Sequence, residues 1–175
     1  MKELLKLARQ AIESHLKGGE LKVDEKVKKK YSSEGACFVT LTEDGELRGC
    51  IGSLEARQEL WKDVIENAIH AGFDDFRFNP LSLNEIPKIK IEISVLTKPE
   101  KLNYKNEEDL LKKIDDKMGI ILQKGRNSAT FLPQVWEEIP DKVEFLEHLS
   151  MKAGLSEDAW KDAEFKYYRV KKIKE

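Results

Sequence analysis

The feature that most constrains the fold is a tight-turn pair, Asp44-Gly45, between two strand-like runs. Asp-Gly favours the two-residue turn of a β-hairpin, because both turn positions require positive φ angles that these residues tolerate. The run before the turn covers residues 37–41 and the run after it covers residues 46–51. The sequence therefore predicts that these two segments pair as a hairpin.

Helical periodicity surrounds this hairpin. Apolar residues recur at helical spacing before Gly18-Gly19 and again over residues 60–72, and Ser53 is predicted to cap the second of these helices. The alternating run 89–96 predicts a third strand, which would complete a strand–helix–strand crossover. Later signals predict helices capped by Asn106 and Asp141, a hairpin over residues 119–132 and a last strand over residues 165–173. Hairpins mixed with helices predict an α+β fold with a mixed β-sheet and flanking helices.

Length and charge limit the function classes. A chain of 175 residues fits a single domain, residues 1–175, and no linker is evident. The 31 basic and 33 acidic residues nearly cancel, which disfavours nucleic-acid binding because such domains are normally basic. A charged fraction of 37% is typical of thermophile proteins. The absence of a signal peptide or long apolar run, together with only two cysteines, predicts a cytoplasmic protein with free thiols.

The second hairpin strand carries the run Leu47-Arg48-Gly49-Cys50-Ile51-Gly52. By strand alternation, Arg48, Cys50 and Gly52 should share one face and Leu47, Gly49 and Ile51 the other. Glycines beside Cys50 let a ligand or a backbone come close, and Arg48 could favour the thiolate. Cys50 is therefore a candidate nucleophile or ligand contact, with Arg48, Gly49 and Gly52 as ligand-binding candidates. The alternative is a buried cysteine that acts as a small apolar residue, as is expected of Cys37.

Two further residues are candidate acid–base groups. Glu92 is a carboxylate on an otherwise apolar strand, and it could act in a cleft, pair with Arg48 or Arg77, or lie on a solvated face. His148 lies at the border of an apolar helical stripe, and it would act as a general base only if its helix faces the site. Three scattered histidines and two cysteines match no zinc-binding spacing, so no metal site is predicted, and no cofactor is indicated.

The loop after Gly72 combines charges with aromatic residues. Arg77 is predicted either to form a structural ion pair or to clamp a carboxylate or phosphate of a small anionic ligand. The aromatic residues of this loop are interpreted as its buried anchors: Phe73, Phe76 and Phe78.

These residues resemble the AMMECR-one family. The hexapeptide at residues 47–52 is the signature of that family, and Phe76-Arg77-Phe78-Asn79-Pro80-Leu81 follows its second pattern. Further matches are Ile91-Glu92-Ile93-Ser94-Val95-Leu96-Thr97, Phe131-Leu132-Pro133-Gln134-Val135 and Lys152-Ala153-Gly154-Leu155. The resemblance implies two interlocked lobes with the hexapeptide beside the cleft between them. Within the family, residues 53–57 and 145–149 look like the bacterial branch, the A protein of the AmmeMemoRadiSam system.

The resemblance also implies partners. Members of that branch are encoded beside a Memo-type protein and a radical SAM protein. The first hypothesis is therefore a small-ligand-binding or catalytic component that acts with these two proteins. The second is a non-catalytic adaptor that docks them. Nucleic-acid association is the least supported, because it depends only on the basic residues 22–30.

Overall fold

The computed structural model describes residues 1–175, which divide into two units. The first unit is Met1–Leu96 with Lys171–Glu175, and the second is Thr97–Val170. The first unit contains α1 (Lys2–Leu16), α2 (Glu25–Lys30), β1 (Glu34–Glu43), β2 (Glu46–Gly52), β3 (Gln58–Glu59), α3 (Leu60–Phe73) and β4 (Lys90–Leu96). The second contains β5 (Glu100–Lys101), α4 (Glu107–Lys113), β6 (Met118–Lys124), β7 (Asn127–Phe131), α5 (Val135–Glu138), α6 (Lys142–Lys152) and a 3-10 helix (Glu157–Asp162). The last strand, β8 (Glu164–Lys174), starts in the second unit and ends in the first.

The predicted hairpin is confirmed. Asp44 and Gly45 have φ angles of 52° and 88°, as the tight turn requires. β1 is antiparallel to both β2 and β4, so β2 and β4 run in the same direction with β1 between them. The predicted crossover through α3 therefore joins parallel strands that are not neighbours.

The predicted alternation along β2 fails at a β-bulge. Leu41 lies opposite Gly49, whereas Thr42 lies opposite Leu47, so Arg48 is an extra residue in β2. A bulge breaks the period of two, because two residues of one strand face one residue of the other. Leu47, predicted to share the face of Gly49, instead pairs with Thr42 and is 43% exposed.

The core of the first unit lies between the strands and the two long helices. One face of β1 and β4 contributes Val39, Leu41, Ile91 and Ile93, each almost fully buried. These residues belong to one apolar cluster with the buried faces of α1 and α3. The opposite face of the same strands carries polar residues, among them Thr40 and Glu92.

The second unit has its own apolar cluster, built on β6 and α6. β6 is antiparallel to β7 and β8, and the predicted caps Asn106 and Asp141 accept backbone N–H groups at the starts of α4 and α6. The α+β class is confirmed, with antiparallel pairing in these strands where a mixed sheet was predicted. None of the helices has the length and apolar composition required to cross a lipid bilayer.

Candidate functional site

Two side chains from the loop after α3 close the outer edge of β2 at Cys50. The Cys50 N–H donates to Asp75 Oδ2 at 2.9 Å, and Arg77 Nη2 donates to the Cys50 carbonyl at 3.2 Å. Asp75 and Arg77 thus supply the acceptor and donor that a further strand would supply. Both backbone hydrogen-bonding groups of Cys50 therefore have partners on the open side of β2.

Asp75 and Arg77 also bind each other. Arg77 Nε donates to Asp75 Oδ1 at 2.9 Å and Nη2 donates to Oδ2 at 2.7 Å, a bidentate pair. Asp75 is only 4% exposed, and the Arg77 guanidinium holds the pKa of this carboxyl far below its ordinary value. Asp75 in turn raises the pKa of Arg77. Arg77 is thus engaged in an ion pair, and its role in holding a ligand stays a prediction.

The Cys50 thiol heads a row of polar side chains that crosses four strands. Thr40 lies opposite Cys50 on one side and opposite Glu92 on the other. Thr40 Oγ1 is 3.1 Å from Cys50 Sγ, and Glu92 Oε1 is 3.8 Å from Lys172 Nζ on β8. Cys50, Thr40 and Glu92 are each half-buried, so the row combines shielding with access. The row therefore places a thiol, a hydroxyl, a carboxylate and an ammonium group one after another across the strands. Thr40 and Lys172 were not singled out from the sequence.

Arg48 does not pair with Glu92. Its Nε donates to Glu85 Oε1 at 2.7 Å and its Nη2 donates to the Asn79 carbonyl at 2.9 Å. The backbone N–H and hydroxyl of Ser82 hold the other oxygen of Glu85, and these contacts, the Arg48 bond above all, lower the pKa of Glu85 to about 2. Arg48 Nη1 is buried without a hydrogen-bond partner. The bulge turns this side chain toward the loop after α3.

The two glycines of the hexapeptide permit close packing within the protein. A Cβ atom on Gly49 would lie 2.1 Å from the Ala71 carbonyl oxygen of α3. A Cβ atom on Gly52 would lie 2.3 Å from the ring of Phe38. Both distances are far below contact distance, so the helix and the ring occupy the space that a side chain would need. Gly49 and Gly52 stay predictions as ligand contacts, but their packing role is evident.

A cavity of about 690 Å³ opens at the end of β2, beyond Cys50. Its walls come from the end of β2, the segment that follows it and one side of α3: Ile51, Gly52, Ser53, Leu54, Glu55, Arg57, Gln58, Asp63, Glu66, Asn67 and His70. Ser53 does not cap α3, which begins at Leu60; its hydroxyl instead donates to Asp63 Oδ1 at 2.7 Å. The sequence did carry a signal for this cavity, since Asp63, Asn67 and His70 recur at helical spacing on one side of α3.

Comparison with known proteins agrees with this fold. The AMMECR1 family model matches residues 5–174. The chain belongs to the AMMECR1 family. It is 42% identical over 172 residues to a protein of Aquifex aeolicus, covering 96% of this chain and 88% of that one. It is also 39% identical over 168 residues to the protein NEQ441 of Nanoarchaeum equitans, covering 94% and 93%.

A solved structure from the family has the same fold. The crystal structure of PH0010, an uncharacterized protein of Pyrococcus horikoshii, matches with a TM-score of 0.81 at 35% identity. The match covers 99% of this chain and 90% of that chain. The resemblance noted from the hexapeptide is thereby confirmed.

The sequence analysis also weighed His148 and Cys37 of this AMMECR1 chain. His148 is exposed on α6 in the second unit. Cys37 is fully buried, as expected, and burial raises the pKa of its thiol. Cys50, by contrast, is neither sealed in the core nor fully exposed.

The aromatic loop of this AMMECR1 chain is only partly anchored. Phe73 and Phe78 are half-buried. The guanidiniums of Arg48 and Arg77 lie 5.9 and 5.5 Å from the centroid of the Phe78 ring. Phe76, predicted to be buried, is instead 94% exposed. The loop is held by charged side chains, so it does not need this ring as an anchor.

Proposed function

We propose that the chain is a small-ligand-binding component whose ligand contacts the polar row that starts at Cys50. The observation that supports this is the 3.1 Å contact between Cys50 Sγ and Thr40 Oγ1 on a half-buried strand whose backbone is clamped by Asp75 and Arg77. A clamped backbone holds the sulfur in place, and a positioned nucleophile gains rate from orientation. The neighbouring hydroxyl can donate to a thiolate or accept from a thiol.

The charges near Cys50 bear on the kind of ligand. Arg48 and Arg77, the predicted anion contacts, are already paired with Glu85 and Asp75. An anionic ligand would have to compete with these carboxylates for the guanidiniums. The proposal therefore assigns the ligand contact to the thiol and the neighbouring hydroxyl. Attack by the thiol on the ligand is the catalytic form of the same proposal.

Thiol alkylation tests the proposal. The rate of Cys50 labelling by iodoacetamide would be measured by mass spectrometry between pH 6 and 9 in the wild type, Thr40→Val and Glu92→Gln. If the Cys50 thiol is accessible, it should be labelled in the folded protein. If Thr40 and Glu92 influence the thiol, the two variants should change its labelling rate about tenfold or more. Glu46→Gln, on the exposed start of β2, is the control. No labelling of Cys50 in the folded protein, or a labelling rate that is the same in both variants as in the wild type, would overturn the proposal.

A second observation favours a docking role beside this row. Phe76 is held outward because its neighbours Asp75 and Arg77 are both bound to Cys50, and Leu47 of the hexapeptide is exposed as well. An exposed aromatic on a braced loop is the kind of residue that anchors protein interfaces. We propose that this surface contacts the partners implied by the family resemblance, the Memo-type protein or the radical SAM protein.

Co-purification separates the two roles. Phe76→Ser should abolish recovery of the partner, whereas Cys50→Ser should leave recovery unchanged. Leu83→Ser, at another exposed apolar position of the first unit, is the matched control. Association that survives Phe76→Ser would contradict docking at this surface.

A further inference from the structure

The cavity at the end of β2 is built around two buried polar side chains of α3. Asp63 is 2% exposed and Asn67 is 3% exposed, yet both line the cavity. Cys50 does not line it, so the cavity is separate from the contact between the thiol and Thr40. Its volume of about 690 Å³ is within the range of small-molecule sites.

The buried carboxylate in this wall has neutral partners. Asp63 accepts hydrogen bonds from the Cys37 N–H at 2.9 Å, the Ser53 hydroxyl at 2.7 Å and the Asn67 amide at 3.0 Å. A longer contact of 3.5 Å joins it to the Gln58 amide. These donors position the carboxylate but leave its negative charge unbalanced by any cation of the first unit. A buried charge of this kind attracts an opposite charge more strongly than an exposed one does.

The amide of Asn67 offers an acceptor in the same wall. Its nitrogen faces the Cys37 carbonyl at 3.2 Å and Asp63 Oδ2 at 3.0 Å, and both of these are acceptors. The orientation of the amide is therefore set, and Oδ1 points away from them. Within the first unit, Oδ1 accepts no hydrogen bond. Asn67 lines the cavity, so this oxygen is available to accept a hydrogen bond from a ligand there.

The rest of the lining adds negative charge and a short apolar wall. Glu66 is bonded to the neutral Gln58 amide, whereas Arg57 is already paired with Glu55. With these pairs accounted for, Asp63 and Glu66 give the cavity an excess of two negative charges. Ile51 and Leu54 supply the apolar part of the lining.

We propose that this cavity binds a small organic cation, an alkylammonium or alkylguanidinium compound. Its N–H groups would donate to Asn67 Oδ1 and to the Glu66 carboxylate, and the negative charge of Asp63 would attract the cation. Its hydrocarbon part would pack on Ile51 and Leu54. A metal ion does not fit the site, because no three acidic, histidine or cysteine side chains lie close enough together to coordinate one. An organic cation has donors spread over several atoms, which suits acceptors that are spread along a wall.

Calorimetric titration of the full chain with two matched probes tests the charge requirement. Butylguanidinium and butylurea have similar shapes and N–H donors, but only the first is cationic. We expect saturable binding of butylguanidinium and at least about tenfold weaker binding of butylurea, since an unbalanced charge should dominate the difference. Equal binding of the two probes, or no binding of butylguanidinium up to about 10 mM, would overturn the proposal.

Variants locate the site. Glu66→Gln should weaken butylguanidinium about fivefold or more, and Asp63→Asn should weaken it further. Glu66 is exposed, so its variant stays informative if Asp63→Asn fails to fold. Glu107→Gln, at an exposed position of α4, should have no effect, and the same holds for Cys50→Ser. Binding that is unchanged in Glu66→Gln would contradict the assignment, whatever the outcome of thiol labelling.

Discussion

Asp63 and Asp75 have nearly identical burial and opposite electrostatic surroundings. Each is almost fully buried, and each accepts the backbone N–H of a cysteine, Cys37 for Asp63 and Cys50 for Asp75, at 2.9 Å. Asp75 also binds the Arg77 guanidinium through both oxygens, whereas Asp63 receives only neutral donors within the first unit.

The difference separates a structural ion pair, Asp75 with Arg77, from a carboxylate of the proposed binding cavity, Asp63. The charge of Asp75 is balanced by its own neighbour two residues away, so this pair serves mainly to hold the loop against the edge of β2. The charge of Asp63 is held in position but not balanced, and it lines a cavity. A buried charge without an opposite charge beside it is costly to remove from water, so a cationic ligand that balances it would be favoured.

The largest expected difference lies between the two cysteines that these aspartates touch. Cys50 should be alkylated in the folded protein, whereas Cys37, at 0% exposure, should react only after unfolding. Because global unfolding costs several kcal/mol, the labelling rates should differ by about 1,000-fold or more. Mass spectrometry of the two peptides over time measures both rates, and in denaturant they should converge. Rates within tenfold of each other in the folded protein would show that the first unit opens locally.

Asp63→Ala should cause the larger loss of stability of the two aspartate deletions, about 3 kcal/mol. The change leaves the buried Cys37 N–H without an acceptor and removes a partner of Ser53 and Asn67. Urea denaturation measures the loss. Asp63→Asn keeps the shape and one acceptor oxygen, so it should lose less. A loss below about 1 kcal/mol for the alanine variant would mean that water replaces the carboxylate.

Asp75→Ala should cost about 2 kcal/mol, because the half-exposed Arg77 guanidinium can be hydrated when its partner is removed. The same urea denaturation measures it. A double variant with Arg77→Ala should lose less than the sum of the two single changes, since the pair is coupled. If Asp75→Ala lost more stability than Asp63→Ala, the predicted order of the two aspartates would be wrong.

Arg77→Gln should have the smallest effect, about 1 kcal/mol at neutral pH, and the effect should depend on pH. The pKa of Asp75 is lowered in the folded state, chiefly by Arg77. Its ionised form therefore contributes stability that is fully present above the unfolded pKa of about 3.9 and is lost as the pH falls through the folded pKa. The stability difference between wild type and variant should thus persist from pH 7 to pH 5 and shrink below pH 4. If the stability difference stayed constant below pH 4, the ion pair between Asp75 and Arg77 would not be its cause.

Several elements could be predicted from the sequence because their causes are local. The Asp44-Gly45 turn needs only its own two residues, and the Asn106 and Asp141 caps need only the first turn of the helix that follows. The pairing of the strands around Cys50 follows from their apolar pattern. In the same way, the full burial of Cys37 follows from the apolar strand that contains it.

Other features depend on residues that are far apart in sequence. Arg48 was expected to act on Cys50 or Glu92, but the bulge and the loop after α3 bring Glu85 to it. Phe76 was expected to be buried, but the salt bridge beside it made that unnecessary. Ser53 was assigned to the start of α3, whereas its true partner is Asp63, one turn into that helix.

By itself the sequence determined the α+β class, the turns, the caps and the hexapeptide strand, because short-range sterics and hydrogen bonds decide those features. Only the tertiary structure decided which carboxylate each guanidinium binds, how far the Cys50 thiol is exposed and where a cavity opens. Ion pairs and cavities form between segments that the chain brings together only after folding. Their energies depend on distance and burial, neither of which can be calculated from residue order alone.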